Sequence, residues 1–416
     1  MEARLFMTLR RQCLEKARVG FLFLHPLSES LGSTTRLVEI AKSLKKGGFE
    51  VKIFNPFESV KEVDSIKVEK VKVLNLFDFM AKNMYSLLRR IYYGKRTRSI
   101  TANKIFRENF FYKKLAEDLA EKLKKGNIDV LVIEQDFAIV PGLLASKKSG
   151  IPTLVDLHNI TAEELVAANI LRYDSLEYKE MQSKLGELLN EVEGIAVVSE
   201  ALRKYIYETY GIRNNVVLVP PAGRIRIRKI PRRTLPYKFI FAGLLSYREK
   251  VDIFIRSLVY LKEKIANYEV YMTKKGDELK RIKMLSKIDD LNINFFWFKT
   301  RNELFDFMKQ CHVGILTSSK NKARMLGPPI KLFDYMSVGL PVVANYIGGW
   351  SEIIRMEKVG IVTSGEPKEF AEGIFELISD EDAYYNFASN ALRVIKEKYN
   401  WDKVTEPLVD LIHKFS

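Results

Sequence analysis

Two cysteines, Cys13 and Cys311, are all that the 416 residues contain, and neither belongs to a CxxC pair. A disulfide scaffold and a zinc ribbon are thereby excluded, and a reducing cytosol is the simplest home. No apolar run approaches the roughly 20 residues that a membrane-spanning helix needs. The opening stretch MEARLFMTLRRQCLEKAR has no long apolar core ahead of Arg18, which argues against a secretory leader. Histidine is scarce, at four residues, and no His or Cys cluster has metal-ligand spacing. Asp380 and Asp382 read as the first turn of a helix rather than a DxD metal motif. Neither a metal nor a cofactor is implied. Gln is sparse while Lys, Glu, Ile and Val abound, a composition of the kind found in thermophiles.

What is present is positive charge and apolar bulk. The formal net charge is +16, which favours anionic partners: phosphates, nucleotide sugars, nucleic acid or an anionic membrane surface. Hydrophobic residues make up 47%, enough for sizeable cores, and the length indicates two or three domains.

Short β-branched or apolar runs alternate with longer helical stretches. Strands are expected at 19–26, 49–54, 129–135, 153–158, 194–199 and 215–221, with an amphipathic helix over 34–48 closed by Gly47 and Gly48. Continuous apolar strands separated by helices indicate a parallel sheet buried on both faces. The stretch 220–238, PPAGRIRIRKIPRRTLPYK, has four prolines and no apolar period and reads as an interdomain linker. The alternation then restarts, with strands at 238–243, 268–273, 292–298, 313–317 and 341–345, and the tail 399–415 reads as a final amphipathic helix. Ligands of such sheets bind at the carboxyl ends of strands, so the default site is the cleft between two facing domains.

One stretch carries the most chemistry. In PPIKLFDYMSVGLPVVAN, residues 328–345, Pro328 and Pro329 open a helix just beyond a strand's carboxyl end. Its N-terminal N–H groups suit a phosphate. Lys331 sits in the first turn and Asp334 one turn on, where a carboxylate can accept hydrogen bonds from vicinal ribose hydroxyls. The competing reading makes Lys331 and Asp334 an exposed ion pair on an ordinary helix. TSSKNKARMLGPP, residues 317–329, reads as a polar loop.

KLFDYMSVGLPVVAN with the following Gly348 and Gly349 resembles the donor-site signature of GT-B fold glycosyltransferases, the retaining family four in particular. The resemblance covers nearly the whole chain. GSTTRLVEIAKSLKKGGFEV resembles that family's first loop and helix, IPTLVDLHN its strand ending in histidine, and AVVSEALRKYIYETYGIRNNVVLVPPAG its last N-domain segment. FIFAGLLSYREKVDIFIRSL resembles the opening of its nucleotide domain and YNWDKV its closing helix. The resemblance implies that backbone groups of Gly32, Ser33 and Thr34 face the donor, that His158 touches the transferred sugar, and that Lys250 and Arg248 neutralise the leaving diphosphate. Gly348 and Gly349 become a phosphate-approach turn, or an ordinary one. Asp156 is read as structural, pointing to the other side of its strand. Two departures stand out: the family's arginine after the glycine is Leu244, and the first of its two spaced glutamates is Leu326, with Asp334 in the second place.

The expected fold is therefore α/β, two Rossmann-like doubly wound domains in a GT-B arrangement with an interdomain cleft. The expected divisions are an extension at 1–17, an N-terminal domain at 18–222, a linker at 223–237, a C-terminal domain at 238–395, and a closing helix at 396–416 that packs back towards the N-terminal domain. The expected function is transfer of a sugar from a nucleotide sugar to a glycan or lipid-linked acceptor, retaining and metal-independent, in the cytoplasm. The alternatives are an inactive nucleotide-sugar or membrane-binding protein and a nucleotide-sugar epimerase. Segment 81–114 holds ten Lys or Arg and one Glu among aromatics. It suits an anionic membrane surface and a solvated helical face equally well, and nucleic acid least.

Overall fold

A computed structural model describes residues 17–27, 32–57, 60–72, 105–230, 232–298 and 300–416. The first sheet contains β1 (Arg18–Leu22), β2 (Glu50–Asn55), β3 (Glu62–Val63), β4 (Ile66–Lys70), β5 (Val130–Glu134), β6 (Thr153–Leu157), β7 (Gly194–Val197) and β8 (Val216–Leu218), in the order β3-β4-β2-β1-β5-β6-β7-β8. All its neighbours pair in parallel except β3 with β4. That antiparallel edge hairpin, charged and short, has no apolar period and was not anticipated from sequence. The second sheet contains β9 (Tyr237–Phe241), β10 (Tyr268–Thr273), β11 (Ile293–Phe296), β12 (Val313–Leu316), β13 (Val342–Asn345) and β14 (Gly360–Thr363), all parallel, in the order β11-β10-β9-β12-β13-β14. The chain is thus two α/β domains, one with a mixed sheet.

Continuous apolar strands are explained by burial on both faces. Val19, Phe21 and Phe23 join one core while Leu22 and Leu24 join the other; Val130 and Val132 oppose Leu131 and Ile133 in the same way. In the second domain Phe239 and Phe241 face one core and Ile240 the other. Alternating side chains of a strand point to opposite faces, so a strand covered twice must be apolar throughout.

The polypeptide crosses between domains twice, and the crossings touch. Gly223 N–H donates to the Tyr399 carbonyl at 2.8 Å, and Arg224 bonds Glu39 at 2.7 Å and Asp402 at 3.0 Å. Beyond this point Trp401, Leu408, Leu411 and Ile412 are buried in the same core as Val19 and Phe21 of β1. The tail forms two helices, Trp401–Val404 and Glu406–Phe415, with Pro407 in the first turn of the second, instead of one continuous helix. The stretch expected as a polar loop contains a short helix, Lys322–Leu326, capped by the Asn321 side chain. Residues 1–16 and 81–104, which hold most of the extension and of the basic aromatic segment, lie outside the described residues. The described end of that segment is not a free surface throughout: Ile105, Phe106, Phe111 and Tyr112 are buried in the N-terminal core.

Candidate functional site

Among the described residues, a cleft of about 370 Å³ lies between the carboxyl ends of the two sheets. Its C-terminal wall is built on helix Ile330–Ser337, which follows the prolines. Gly314 fixes the seat of that helix: a Cβ there would lie 2.6 Å from the Tyr335 ring, so only glycine admits the aromatic against β12. The Tyr335 hydroxyl accepts from Ala242 N–H at 2.8 Å and donates to the Ile240 carbonyl at 3.2 Å. The helix is thereby locked to β9 with Lys331 and Asp334 turned to the cleft.

Neither residue forms the exposed pair with the other. Lys331 Nζ bonds Glu249 and lies 4.3 Å from the centre of the Phe241 ring. Asp334 Oδ1 accepts from Arg301 Nη2 at 2.6 Å, while Arg301 Nη1 donates to Thr35 Oγ1 of the other domain at 3.1 Å. Burial raises the Asp334 carboxyl above its ordinary value, and the Arg301 guanidinium opposes this. Lys331 and Asp334 therefore each carry a separate charged partner on a largely buried wall, which removes the exposed-pair reading.

The N-terminal wall is denser. His158 Nε2 lies 3.0 Å from Asp156 Oδ2 and 3.2 Å from Glu134 Oε2, and its Nδ1 lies 3.1 Å from the Gln135 amide. Arg36 Nε and Nη2 both donate to Asp156 at 2.8 Å. Burial by itself would lower the His158 pKa, but the Asp156 and Glu134 carboxylates push it up to about 9, so the ring is an imidazolium at neutral pH. Burial would raise Asp156, and Arg36 and His158 together hold it well below the usual range. Glu134 is raised, by burial and then by Asp156. Asp156 does not point away from His158: residues two apart on a strand share a face, and the pair sits together at the end of β6. Glu134, Asp156 and His158 also converge as a three-donor cluster of the kind that holds cations. Here Arg36 occupies both Asp156 oxygens and the imidazolium faces both carboxylates, so protein cations already balance the negative charge.

The two walls are tied across the cleft. Glu164, buried on helix Thr161–Ala167, bonds Arg248 Nη1 and accepts from Arg324 Nη2 at 3.3 Å. Lys322 Nζ lies 3.3 Å from Glu163, and Ser199 Oγ bonds the Leu326 carbonyl. Leu326 itself is buried in the N-terminal domain's core, among Val198 and Leu202. Where the resembling family has a sugar-binding glutamate, this chain has an apolar interdomain contact.

Of the expected site residues, His158, Arg248, Gly32, Ser33, Lys331 and Asp334 line the cleft. Lys250 does not: it is exposed, in a left-handed conformation between the turn Tyr247–Glu249 and helix Val251–Leu261. Thr34 is buried one residue behind the lining. Gly348 and Gly349 adopt positive φ of 78° and 54° and press on Met325, which gives this turn a packing reason. Arg36, Glu134, Gln135, Glu164, Glu249, Arg301 and Arg324 were not anticipated. Only Arg36 and Gln135 carried a local signal, one turn into the first helix and just after β5. The others are brought in by tertiary contacts.

Comparisons with known proteins agree with this fold. Residues 32–222 match the model of Glycosyltransferase Family 4, and residues 224–394 match that of Glycosyl transferases group 1. The chain belongs to this family of GT-B glycosyltransferases. An uncharacterized glycosyltransferase of Methanocaldococcus jannaschii is 25% identical over 181 residues, 41% of this chain and 43% of that protein. Poly(ribitol-phosphate) alpha-N-acetylglucosaminyltransferase of Staphylococcus aureus is 22% identical over 250 residues, 58% of this chain and 48% of that one. The chain thus spans less than half the length of these curated relatives. Sucrose-phosphate synthase from Thermosynechococcus elongatus superposes with a TM-score of 0.72 at 12% identity, covering 96% of this chain and 99% of that one. HepE of Anabaena, solved in complex with UDP-glucose, gives 0.70 at 17% identity, covering 95% and 99%. Among the described residues no helix is long and apolar enough to cross a membrane.

Proposed function

We propose that this chain transfers a sugar from a nucleotide sugar to a glycan or lipid-linked acceptor, with retention of anomeric configuration. The observation that carries the reading is the cleft itself: a proline-led helix N-terminus with Lys331 and Asp334 on one wall faces His158 and the start of helix Gly32–Lys46 on the other. The nucleotide diphosphate lies against the C-terminal wall, with Asp334 on the ribose and Lys331 on the phosphates. Lys250 belongs to the diphosphate site only in a conformation that turns its loop inward. Negative charge grows on the leaving diphosphate as the glycosidic bond breaks, so Lys331, Arg248 and the helix N-terminus stabilise the transition state more than the bound donor. HepE binds UDP-glucose in the same architecture, which supports a nucleotide-sugar donor.

Two replacements favour one rival reading, a binder without transfer activity: Leu244 and Leu326 stand where the family has an arginine and a glutamate. A single assay separates these readings. The protein is incubated with UDP-, GDP- and ADP-sugars and mixed glycan or polyprenyl-phosphate acceptors, and products are followed by proton NMR. Transfer with an unchanged anomeric coupling supports the proposal. Donor binding without product under any acceptor supports the binder, and an isomerised donor without acceptor supports an epimerase.

A further inference from the structure

The proposed reaction places Arg248 on the leaving diphosphate, yet the protein's own carboxylate already holds it. Arg248 Nη1 donates to Glu164 Oε2, and Arg324 Nη2 donates to Glu164 Oε1 at 3.3 Å. All three residues line the cleft. Glu164 belongs to helix Thr161–Ala167 of the N-terminal domain, while Arg248 and Arg324 belong to the C-terminal domain. The carboxylate therefore reaches across the cleft to take cations of the opposite wall.

Glu164 is ionised in this place. Burial by itself would raise its pKa, but Arg248 and Arg324 hold it below the ordinary value. Glu164 is 3% exposed and Arg248 6%, so salt and water screen the pair little. A diphosphate brought to this wall meets Glu164 as a like charge and as a competitor for the same guanidinium. Releasing Arg248 strands neither side. Arg324 and the Asn159 side chain still hydrogen-bond Glu164, and the Arg248 charge passes to the diphosphate. The neighbouring Lys331 is held by Glu249 of its own domain, so exchange there is local. Exchange at Arg248 removes a contact between the domains, while Lys322 with Glu163 and Arg301 with Thr35 keep others.

We propose that Glu164 is a resident anion on the diphosphate wall: it holds Arg248 in the donor-free protein, yields it when the donor's diphosphate arrives, and so sets donor affinity and loosens one interdomain tie in the same step. This rests on the glycosyltransferase reading and names the group that controls entry to its donor site. Glu164 is a positioning residue, since it acts through Arg248 and not on the reacting atoms.

Calorimetric titration of the parent, Glu164→Gln and Glu164→Asp with UDP, GDP and ADP, and with uridine, guanosine and adenosine, tests this. Glutamine keeps the shape and loses the charge. The nucleoside diphosphate that binds should bind Glu164→Gln about 10-fold tighter than the parent, the scale of one charge-assisted hydrogen bond freed for the ligand. The matching nucleoside, which has no phosphate, should bind both alike. The melting temperature of unliganded Glu164→Gln should fall, because Arg248 loses a buried anionic partner. Affinity and stability then move in opposite directions, which a merely structural Glu164 would not produce. Glu164→Asp keeps the charge and shortens the reach; it should tighten the diphosphate less, and it remains informative if Glu164→Gln does not fold. Unchanged or weaker diphosphate binding in the variants that fold overturns the proposal, and so does equal tightening of nucleoside and diphosphate, which marks a general opening of the cleft. Binding of none of the three diphosphates to the parent or to either variant overturns the nucleotide-sugar reading, and the role of Glu164 with it.

Discussion

The two walls of the cleft hold their charges in opposite ways. On the N-terminal wall Arg36, Asp156 and Glu134 are almost completely buried, and His158 nearly so, in a network fixed to the ends of β5 and β6. On the C-terminal wall the cations sit on loops and short helices, and two of them have one carboxylate each: Lys331 pairs with Glu249 and Arg301 with Asp334. A buried network resists rearrangement because removing one member strands the others. A single ion pair at the cleft lining can exchange its carboxylate for a phosphate without stranding further charges, since the incoming anion replaces the one displaced. The first wall is therefore suited to orient, and the second to receive and release a charged group.

The largest expected effect breaks the rigid side. Asp156→Ala leaves Arg36 and His158 facing each other without their shared carboxylate. Loss of one partner in a buried charged network costs about 3–5 kcal/mol. Denaturant unfolding should show a drop of that order, and a drop below about 1 kcal/mol would mean the network is not fixed.

The next acts on the exchanging side. Lys331→Ala should reduce turnover about 100-fold or more, the scale of losing one transition-state hydrogen-bond donor, with a much smaller change in donor affinity. Equal losses in both would make Lys331 a ground-state contact. Asp334→Ala should do the reverse and weaken nucleotide binding about 10-fold with little change in turnover, because ribose contacts change little during reaction.

A pH experiment sharpens the contrast. The folded-state pKa of His158 is about 9, above the usual value of 6.5. Its contribution to stability is fully present below pH 6.5 and is lost as pH rises through about 9. The melting temperature should fall between pH 7 and 9.5, and His158→Gln should flatten that fall. An unchanged slope in the variant would show that His158 is not the titrating group. The smallest effect is the surface control: Arg172→Ala removes the exposed pair with Asp174 and should leave the melting temperature unchanged within error.

The fold was legible where apolar runs were continuous. β1, β5, β6 and β13 announce themselves as strands covered on both faces, and the helix after Pro329 by its prolines and Gly339. The β3–β4 hairpin carried no such pattern, since a charged two-residue edge strand obeys no apolar period. The site was legible where a residue ends a strand or opens a helix, as with His158, Lys331 and Asp334. Misjudging the side of Asp156 came from overlooking the two-residue period that puts it beside His158. Glu164 could not be read at all, because Arg248 and Arg324 reach it only through the docking of two domains, and Arg301 could not because its partners, Asp334 on another helix of its own domain and Thr35 of the other domain, are distant in sequence. Lys250 shows the converse: its place in a motif was clear, while the turn at Tyr247–Glu249 leaves it on the outside of the cleft lining.

The central claim is that the cleft between the domains binds a nucleoside diphosphate on its C-terminal wall. Calorimetric titration of the parent protein and of Asp334→Ala with UDP, GDP and ADP tests it most directly. The account predicts one site per chain for at least one of these nucleotides, weakened about 10-fold in the variant. Binding of none of the three to the parent, or binding of equal strength to the variant, would contradict it.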